Sequence, residues 1–132
     1  MHAPLVVLGG GPGGYAAAFM AADLGMEVTL VEKDTRLGGT CLLRGCIPSK
    51  ALLHVGRVVA EVREMQDWGV HFSAPKIDIE AVRDRKEKVI DALTGGLAQL
   101  AKRRNVRVVQ GQGMFTASNT LEVIQKDAGS QT

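Results

Sequence analysis

The sequence is poor in aromatic residues, which make up 4% of its 132 residues. Proteins that stack nucleic-acid bases need such rings on their surface. A basic excess is also missing, since 16 Lys and Arg stand against 14 Asp and Glu. The one basic run, residues 102–104, is most simply the end of a helix, where cations complement the helix dipole. We therefore predict that nucleic acid is not a partner.

Long apolar runs are absent as well. No segment reaches the roughly 18 to 20 residues that a membrane-spanning helix needs. The apolar start of the chain carries no Lys or Arg and is interrupted by the glycine-rich residues 9–14, so it does not fit a secretory signal. The sequence thus predicts no membrane partner. The length of 132 residues predicts a single domain. With no export segment visible and a thiol pair that suits a reducing compartment, we expect a cytoplasmic location.

What remains is an alternation of strand and helix patterns, which predicts an α/β fold with parallel strands. Predicted strands cover residues 5–8, 28–31 and 106–109, the first of them buried on both faces, and a β-hairpin covers residues 113–124. Predicted helices cover residues 13–24, 40–66 and 78–104. We expect irregularities at Pro48 and Gly56, and an end at Trp68-Gly69. The last helix is expected to bury a stripe of Val82, Val89, Leu93, Leu97 and Leu100.

Residues 9–14 fit the pattern G-x-G-x-x-G at Gly9, Gly11 and Gly14. After a strand and before a helix, this pattern is typical of Rossmann-like units that bind dinucleotides. The glycines allow a tight turn, approach of a pyrophosphate and close helix packing, and the helix N-terminus attracts phosphates. Glu32, at the end of the next strand, is expected to accept hydrogen bonds from an adenosine ribose. The motif alone leaves open whether the ligand is NAD or FAD, or whether the turn binds nothing.

The only two cysteines, Cys41 and Cys46, lie five positions apart. A structural disulfide would close too small a loop to stabilise much, and His54 and His71 lie too far along the chain to complete a zinc site. On a regular helix the two residues are separated by about 7.5 Å along the axis, so a bond requires a distorted turn, which Gly45 permits. Because a thiolate near a helix N-terminus has a lowered pKa, we predict a redox-active pair and no metal.

The chain resembles the flavoprotein disulfide reductases in three stretches, VVLGGGPGGY, VTLVEK and GGTCLLRGCIPSKALLHV. The later stretches KEKVIDALTGGLAQL and GQGMFTASNTLEV extend the resemblance over nearly the whole chain. Residues 47–53 favour the branch that oxidises dihydrolipoamide. Glutathione reductases typically have Lys where Ser49 stands, and mercuric reductases usually differ after the cysteine pair; both stay open as alternatives.

The resemblance implies that FAD is the dinucleotide. Its binding residues would lie in the glycine loop, at the end of the second strand and in the segment that leads to the cysteines: Gly9, Gly11, Pro12, Gly13, Gly14, Glu32, Lys33, Gly38, Gly39, Thr40, Cys41, Lys50 and Gly113. Gly113 matches a family glycine that approaches the cofactor, although a β-bulge would also explain it.

The resemblance also implies catalytic roles. Cys46 would be the flavin-proximal thiolate, Cys41 the interchange thiol, and Lys50 a cation near the isoalloxazine, unless Lys50 is only a solvated helix residue. Electrons would pass from dihydrolipoamide, carried on a lipoyl domain of a 2-oxo acid dehydrogenase complex, through the disulfide and FAD to NAD. The family commonly has Asn where Leu43 stands, and Arg44 adds a cation beside the thiols.

Members of this family are homodimers and several times longer than the chain. The resemblance therefore implies that residues 1–132 form the N-terminal part of a FAD-binding domain, without the NAD site, the central domain, the dimer interface domain or the acid-base His and Glu. Alone, the chain is expected not to turn over. Two other classes remain open, a non-catalytic FAD- or nucleotide-binding module and a small dithiol electron carrier.

Overall fold

The structure, a computed structural model, describes residues 2–125; Met1 and residues 126–132 of the predicted domain lie outside the described residues. Strands and helices alternate along the chain, which confirms the predicted α/β class. In order, the elements are β1 (Leu5–Leu8), α1 (Pro12–Asp23), β2 (Val28–Glu32), α2 (Gly39–Arg44), α3 (Cys46–Glu64), a 3-10 helix (Met65–Trp68), α4 (Ile79–Arg103), β3 (Arg107–Gln110), β4 (Gln112–Ala117) and β5 (Thr120–Ile124).

The central sheet has three parallel strands in the order β1-β2-β3. Leu8 lies beside Val31, and Val31 lies beside Val109. Parallel strands need crossover connections, which α1 provides between β1 and β2 and the later helices provide between β2 and β3. β4 and β5 form an antiparallel hairpin, as predicted. The carboxyl ends of β1, β2 and β3 thus meet at one edge, where ligands of such sheets bind.

The core lies between the sheet and helices α1 and α4. Leu30 of the central strand and Ala18 of α1 are fully buried, and Ile90 of α4 is nearly so. Together they belong to one cluster of buried apolar side chains, which also includes Leu42 of α2. Full burial of a leucine or isoleucine contributes about 1.5–3 kcal/mol, so this cluster fixes the helices against the sheet.

Two predictions about burial were wrong. Val6 and Leu8 of β1 are 40% and 45% exposed, because they alternate with the core-facing Leu5 and Val7 and point to the other face of the sheet, which the described residues cover only in part. On α4, Leu93 of the predicted stripe is 42% exposed, whereas Ile90 and Thr94 are buried. The other four members of the stripe are buried or half-buried as predicted, so the buried face of α4 differs from the prediction at Leu93 and in including Ile90 and Thr94.

The helical segment after β2 breaks at Gly45, not at Pro48 or Gly56 as predicted. Pro48 lies in the first turn of α3, where the backbone N–H that proline lacks has no partner within the helix. At Gly56 the helix continues, and a Cβ would meet nothing within 4 Å. The end predicted at Trp68-Gly69 is confirmed, since Gly69 adopts a left-handed conformation with φ of 84°.

Helix α4 begins and ends within a residue of the predicted bounds. Asp78 precedes it, and its Oδ1 accepts hydrogen bonds from the backbone N–H groups of Glu80 and Ala81, each at 3.1 Å. Lys102 and Arg103 lie in its last turn, which confirms the interpretation of the basic run as a helix end. Among the helices of residues 2–125, none combines the length and the apolar character that crossing a bilayer demands.

Candidate cofactor and disulfide site

The glycine loop joins β1 to α1 at the carboxyl edge of the sheet. Gly9 has φ of 98°, a left-handed conformation that favours glycine. A Cβ on Gly14 would lie 1.7 Å from the carbonyl oxygen of Gly9. Any side chain at that position would push α1 away from the loop. The structure therefore requires these two motif glycines for the reasons that the motif predicted.

The N-terminus of α1 is open towards this loop. Gly11 precedes the helix and Pro12 is its first residue, a position that suits proline. Among the described residues no side chain caps this end, and its first turn contains no acidic residue. Backbone N–H groups and the positive end of the helix dipole are thus free to bind an anion.

Glu32, at the end of β2, supports the loop directly. It is 6% exposed; its Oε2 accepts a hydrogen bond from the N–H of Gly10 at 2.5 Å, and its Oε1 accepts one from the N–H of Asp34 at 2.8 Å. A carboxylate has about four acceptor sites, so these two bonds leave capacity for a ribose hydroxyl. The contact with Gly10 was not predicted, because it depends on how β1 and β2 pair.

Gly38 and Gly39 place α2 against the glycine loop. The N–H of Gly38 donates to the carbonyl of Gly10 at 2.8 Å. A Cβ on Gly39 would lie 2.7 Å from the Cα of Gly11, so only glycine allows this approach. The predicted cofactor residues 38–40 therefore adjoin the predicted pyrophosphate loop.

Cys41 and Cys46 form a disulfide across the break between α2 and α3, and their Cα atoms are 4.8 Å apart. This separation is within the normal range for a disulfide, whereas an unbroken helix would hold the residues too far apart. Gly45 forms the break: a Cβ there would lie 3.0 Å from the carbonyl oxygen of Thr40 and 3.3 Å from the Cα of Cys41. The predicted distortion at Gly45 is confirmed.

Cys46 is the first residue of α3, and Lys50 follows it by one turn on the same helix. The N-terminal end of a helix stabilises a thiolate. Residues four apart lie on the same side of a helix, so the exposed Lys50 side chain is on the side of Cys46. This placement suits a cation near a group bound beside the disulfide.

Gly113 packs β4 onto the central sheet. A Cβ there would lie 2.6 Å from Cδ1 of Leu8. A cavity of about 290 Å³ next to it is lined by Gly9, Glu32 and Lys33, among others, which brings four predicted cofactor residues together. The register shift of the hairpin falls between Phe115 and Ala117, so the β-bulge considered at Gly113 is not there.

The two histidines that the sequence analysis excluded from a zinc site are both on the surface. His54 is exposed on α3, and His71 is exposed after the 3-10 helix. Within residues 2–125, no three His, Cys, Asp or Glu side chains come together in a way that could hold a metal ion.

Arg44, the last residue of α2, contacts Asp34 of the loop after β2. Its Nη2 donates to Oδ2 of Asp34 at 2.7 Å and its Nη1 to Oδ1 at 3.5 Å. The Asp34 carboxylate raises the pKa of the Arg44 guanidinium above its ordinary value, through the hydrogen bond first and then through charge attraction. The sequence marked Arg44 as a cation near the thiols, but nothing in the pattern identified its partner.

A glycine loop of the dinucleotide-binding pattern, in contact with the segment that leads into a disulfide, is typical of the oxidoreductases that pair a dinucleotide with a dithiol. Residues 3–131 match the family described as pyridine nucleotide-disulphide oxidoreductase, and the chain belongs to that family. This membership agrees with the resemblance found in the sequence.

The chain is similar to several proteins named dihydrolipoyl dehydrogenase. It is 56% identical to that of Vibrio cholerae over 93% of the chain and 26% of the relative, and 57% identical to that of Vibrio parahaemolyticus over the same shares. It is 52% identical to that of Haemophilus influenzae over 97% of the chain and 27% of the relative. The chain thus spans about a quarter of the length of these curated relatives.

Proposed function

We propose that the chain is the FAD-binding part of a dihydrolipoyl dehydrogenase and supplies its redox-active disulfide. The observation that carries this proposal is the contact of α2 with the glycine loop. Gly38 and Gly39 lie against Gly10 and Gly11, so the disulfide that begins in α2 adjoins the dinucleotide site. Relatives with this name match nearly the whole chain.

FAD is the dinucleotide that we propose, and the residues present fit it. The open N-terminus of α1 suits a pyrophosphate. The cavity beside Glu32 combines the apolar side chains of Leu8 and Val31 with polar groups and glycine backbone, a mixture that suits an adenosine. Flavin, when bound, supplies two-electron chemistry that side chains lack. The residues that would hold the cofactor are Gly9, Gly11, Pro12, Gly13, Gly14, Glu32, Lys33, Gly38, Gly39, Thr40, Cys41, Lys50 and Gly113.

The cysteines would accept electrons by thiol–disulfide exchange. A thiolate of the substrate attacks the sulfur of Cys41, the bond between Cys41 and Cys46 breaks, and Cys46 leaves as a thiolate. The second substrate thiol then attacks the mixed disulfide and releases Cys41 as a thiol. The substrate dithiol has become a disulfide, and its two electrons reside on the cysteine pair. The helix N-terminus at Cys46 and the charge of Lys50 stabilise the leaving thiolate.

The rest of the enzyme's activity is proposed from the relatives and the family resemblance. The substrate would be dihydrolipoamide on a lipoyl domain of a 2-oxo acid dehydrogenase complex, NAD would be the final acceptor, and the enzyme would be a homodimer. Residues 1–132 would form the N-terminal part of its FAD domain and would not turn over alone. The cytoplasm suits a thiol pair that must be reducible.

A flavin experiment tests the proposal. We expect the purified chain to retain FAD and, after two-electron reduction by dithiothreitol, to show the long-wavelength charge-transfer band of a thiolate against oxidised flavin. Cys41→Ser leaves the Cys46 thiolate free and should show the band without a reductant, whereas Cys46→Ser should show none. A folded, FAD-loaded chain without the band would indicate a non-catalytic module. A reducible disulfide without FAD binding would indicate a dithiol carrier.

A further inference from the structure

Helix α2 is too short to hold its own position. It has six residues, Gly39–Arg44, and isolated helices of fewer than about 12 residues are marginal in water. Yet it carries Cys41 and ends two residues before Cys46. The placement of the disulfide therefore depends on what attaches α2 to the rest of the fold.

Three attachments hold α2, one at each end and one in the middle. At the start, the N–H of Gly38 donates to Gly10. In the middle, Leu42 is 7% exposed and belongs to the core cluster. At the end, Arg44 pairs with Asp34. This last attachment adjoins Gly45, where the chain turns back to bring Cys46 to Cys41.

Asp34 is itself held to the glycine loop. Its backbone N–H donates to Glu32, whose other carboxylate oxygen accepts from the N–H of Gly10. A continuous series of polar contacts thus runs from Gly10 through Glu32 and Asp34 to Arg44. The Asp34 side chain is 24% exposed and the Arg44 side chain 57%, so solvent screens the pair in part.

We propose that Asp34 and Arg44 are a positioning pair for the disulfide. The pair fixes the end of α2 relative to β2 while the start of α2 stays on the glycine loop. Cys41 and Cys46 are thereby kept close together, which favours the disulfide over the two free thiols. The idea that this disulfide cycles during catalysis rests on the proposed function. The effect of the Asp34–Arg44 pair on the reduction of Cys41 and Cys46 is independent of that function.

A different role for Arg44 would be that of a point charge, which stabilises a nearby thiolate. The two roles predict different results when the charges are removed. If Arg44 is a point charge, Arg44→Gln makes the disulfide harder to reduce and Asp34→Asn, which unmasks the cation, makes it easier to reduce. If the residues position α2, both substitutions make the disulfide easier to reduce.

The experiment equilibrates the full 132-residue chain with mixtures of reduced and oxidised dithiothreitol and counts free thiols. Dithiothreitol becomes a cyclic disulfide, and its two electrons and two protons convert the Cys41–Cys46 bond into two thiols. We expect Arg44→Gln and Asp34→Asn each to shift the equilibrium roughly two- to five-fold towards the dithiol, the range of a partly exposed ion pair. The double variant should shift no further than the larger single shift, because both remove one interaction.

Arg36→Gln is the matched control. Arg36 forms a second Arg–Asp pair from the same loop, at 2.6 Å to Asp91 of α4, and neither of its residues belongs to α2. Its equilibrium should equal that of the original chain. Exchanging the charges, with Asp34→Arg and Arg44→Asp in one chain, should return the thiol–disulfide equilibrium at least part of the way to that of the original chain. Circular dichroism checks that every variant is folded.

Opposite shifts in the two single variants, additive shifts in the double variant, or an equal shift in Arg36→Gln would each overturn the positioning role. None of these outcomes depends on whether the proposed function is correct, because the thiol measurement uses no flavin. A chain that binds no FAD would refute that function and leave this thiol measurement unaffected.

Discussion

At the scale of single residues, the glycine loop separates glycines that the backbone requires from glycines that it tolerates. Gly14 has no room for a side chain, because the carbonyl of Gly9 would lie 1.7 Å from a Cβ. Gly13, one position earlier on α1, would place a Cβ where nothing lies within 4 Å. Two adjacent and chemically identical residues thus have different structural roles.

This contrast gives a prediction with a built-in control. Gly14→Ala should lower the free energy of unfolding by about 2–4 kcal/mol, because loop and helix must move apart. Gly13→Ala should leave it unchanged or raise it by up to about 1 kcal/mol, since alanine favours a helix. Urea unfolding without FAD measures both. Equal stabilities of the two variants would show that α1 does not pack against Gly9 as described.

At the scale of elements, the positions of helices and strands were predictable and their environments were less so. Asp78 and Gly69 signal where a helix begins and where another segment ends, because capping and left-handed conformations depend on local residue type. Pro48 misled because proline fits a first turn as well as it ends a helix. The burial of Thr94 and the pairing of Arg44 with Asp34 depend on which elements meet, which no local pattern encodes.

The start of α4 offers a prediction at this scale. Asp78→Ala removes an acceptor of two backbone hydrogen bonds and should destabilise the chain by about 1 kcal/mol. Asp78→Asn keeps the acceptor and should retain most of the stability. As a control, Asp84→Ala changes an exposed position inside α4 and should stay within about 0.5 kcal/mol. Thermal unfolding ranks the three, and an Asp84→Ala loss as large as that of Asp78→Ala would contradict the capping role.

At the scale of the whole molecule, the sequence predicted the α/β class and the sheet of parallel strands. The family resemblance contributed most of the site residues, whose roles stay predictions. The sequence predicted Glu32 as a ribose acceptor but could not predict that its carboxylate also binds the backbone of the glycine loop. A buried carboxylate that binds two backbone N–H groups holds the loop in place before any ligand arrives.

A preformed loop leads to a prediction for the folded chain as a whole. A ligand that binds only the folded state stabilises it, by about 2.7 kcal/mol at a concentration 100 times its dissociation constant. FAD in such excess should therefore raise the midpoint temperature of thermal unfolding. Gly14→Ala should abolish this increase. Riboflavin, which lacks the pyrophosphate, should have a much smaller effect at equal concentration. An equal effect of riboflavin would mean that the α1 N-terminus does not bind phosphate.

The disulfide joins two residues five positions apart in the sequence, at the junction of α2 and α3. A ring this small removes little freedom from the unfolded chain. Opening it therefore destabilises the fold less than opening a disulfide that closes a long loop. In the redox cycle proposed for this pair, the bond would open and close repeatedly while the surrounding fold stays in place, as a reusable carrier of reducing equivalents requires.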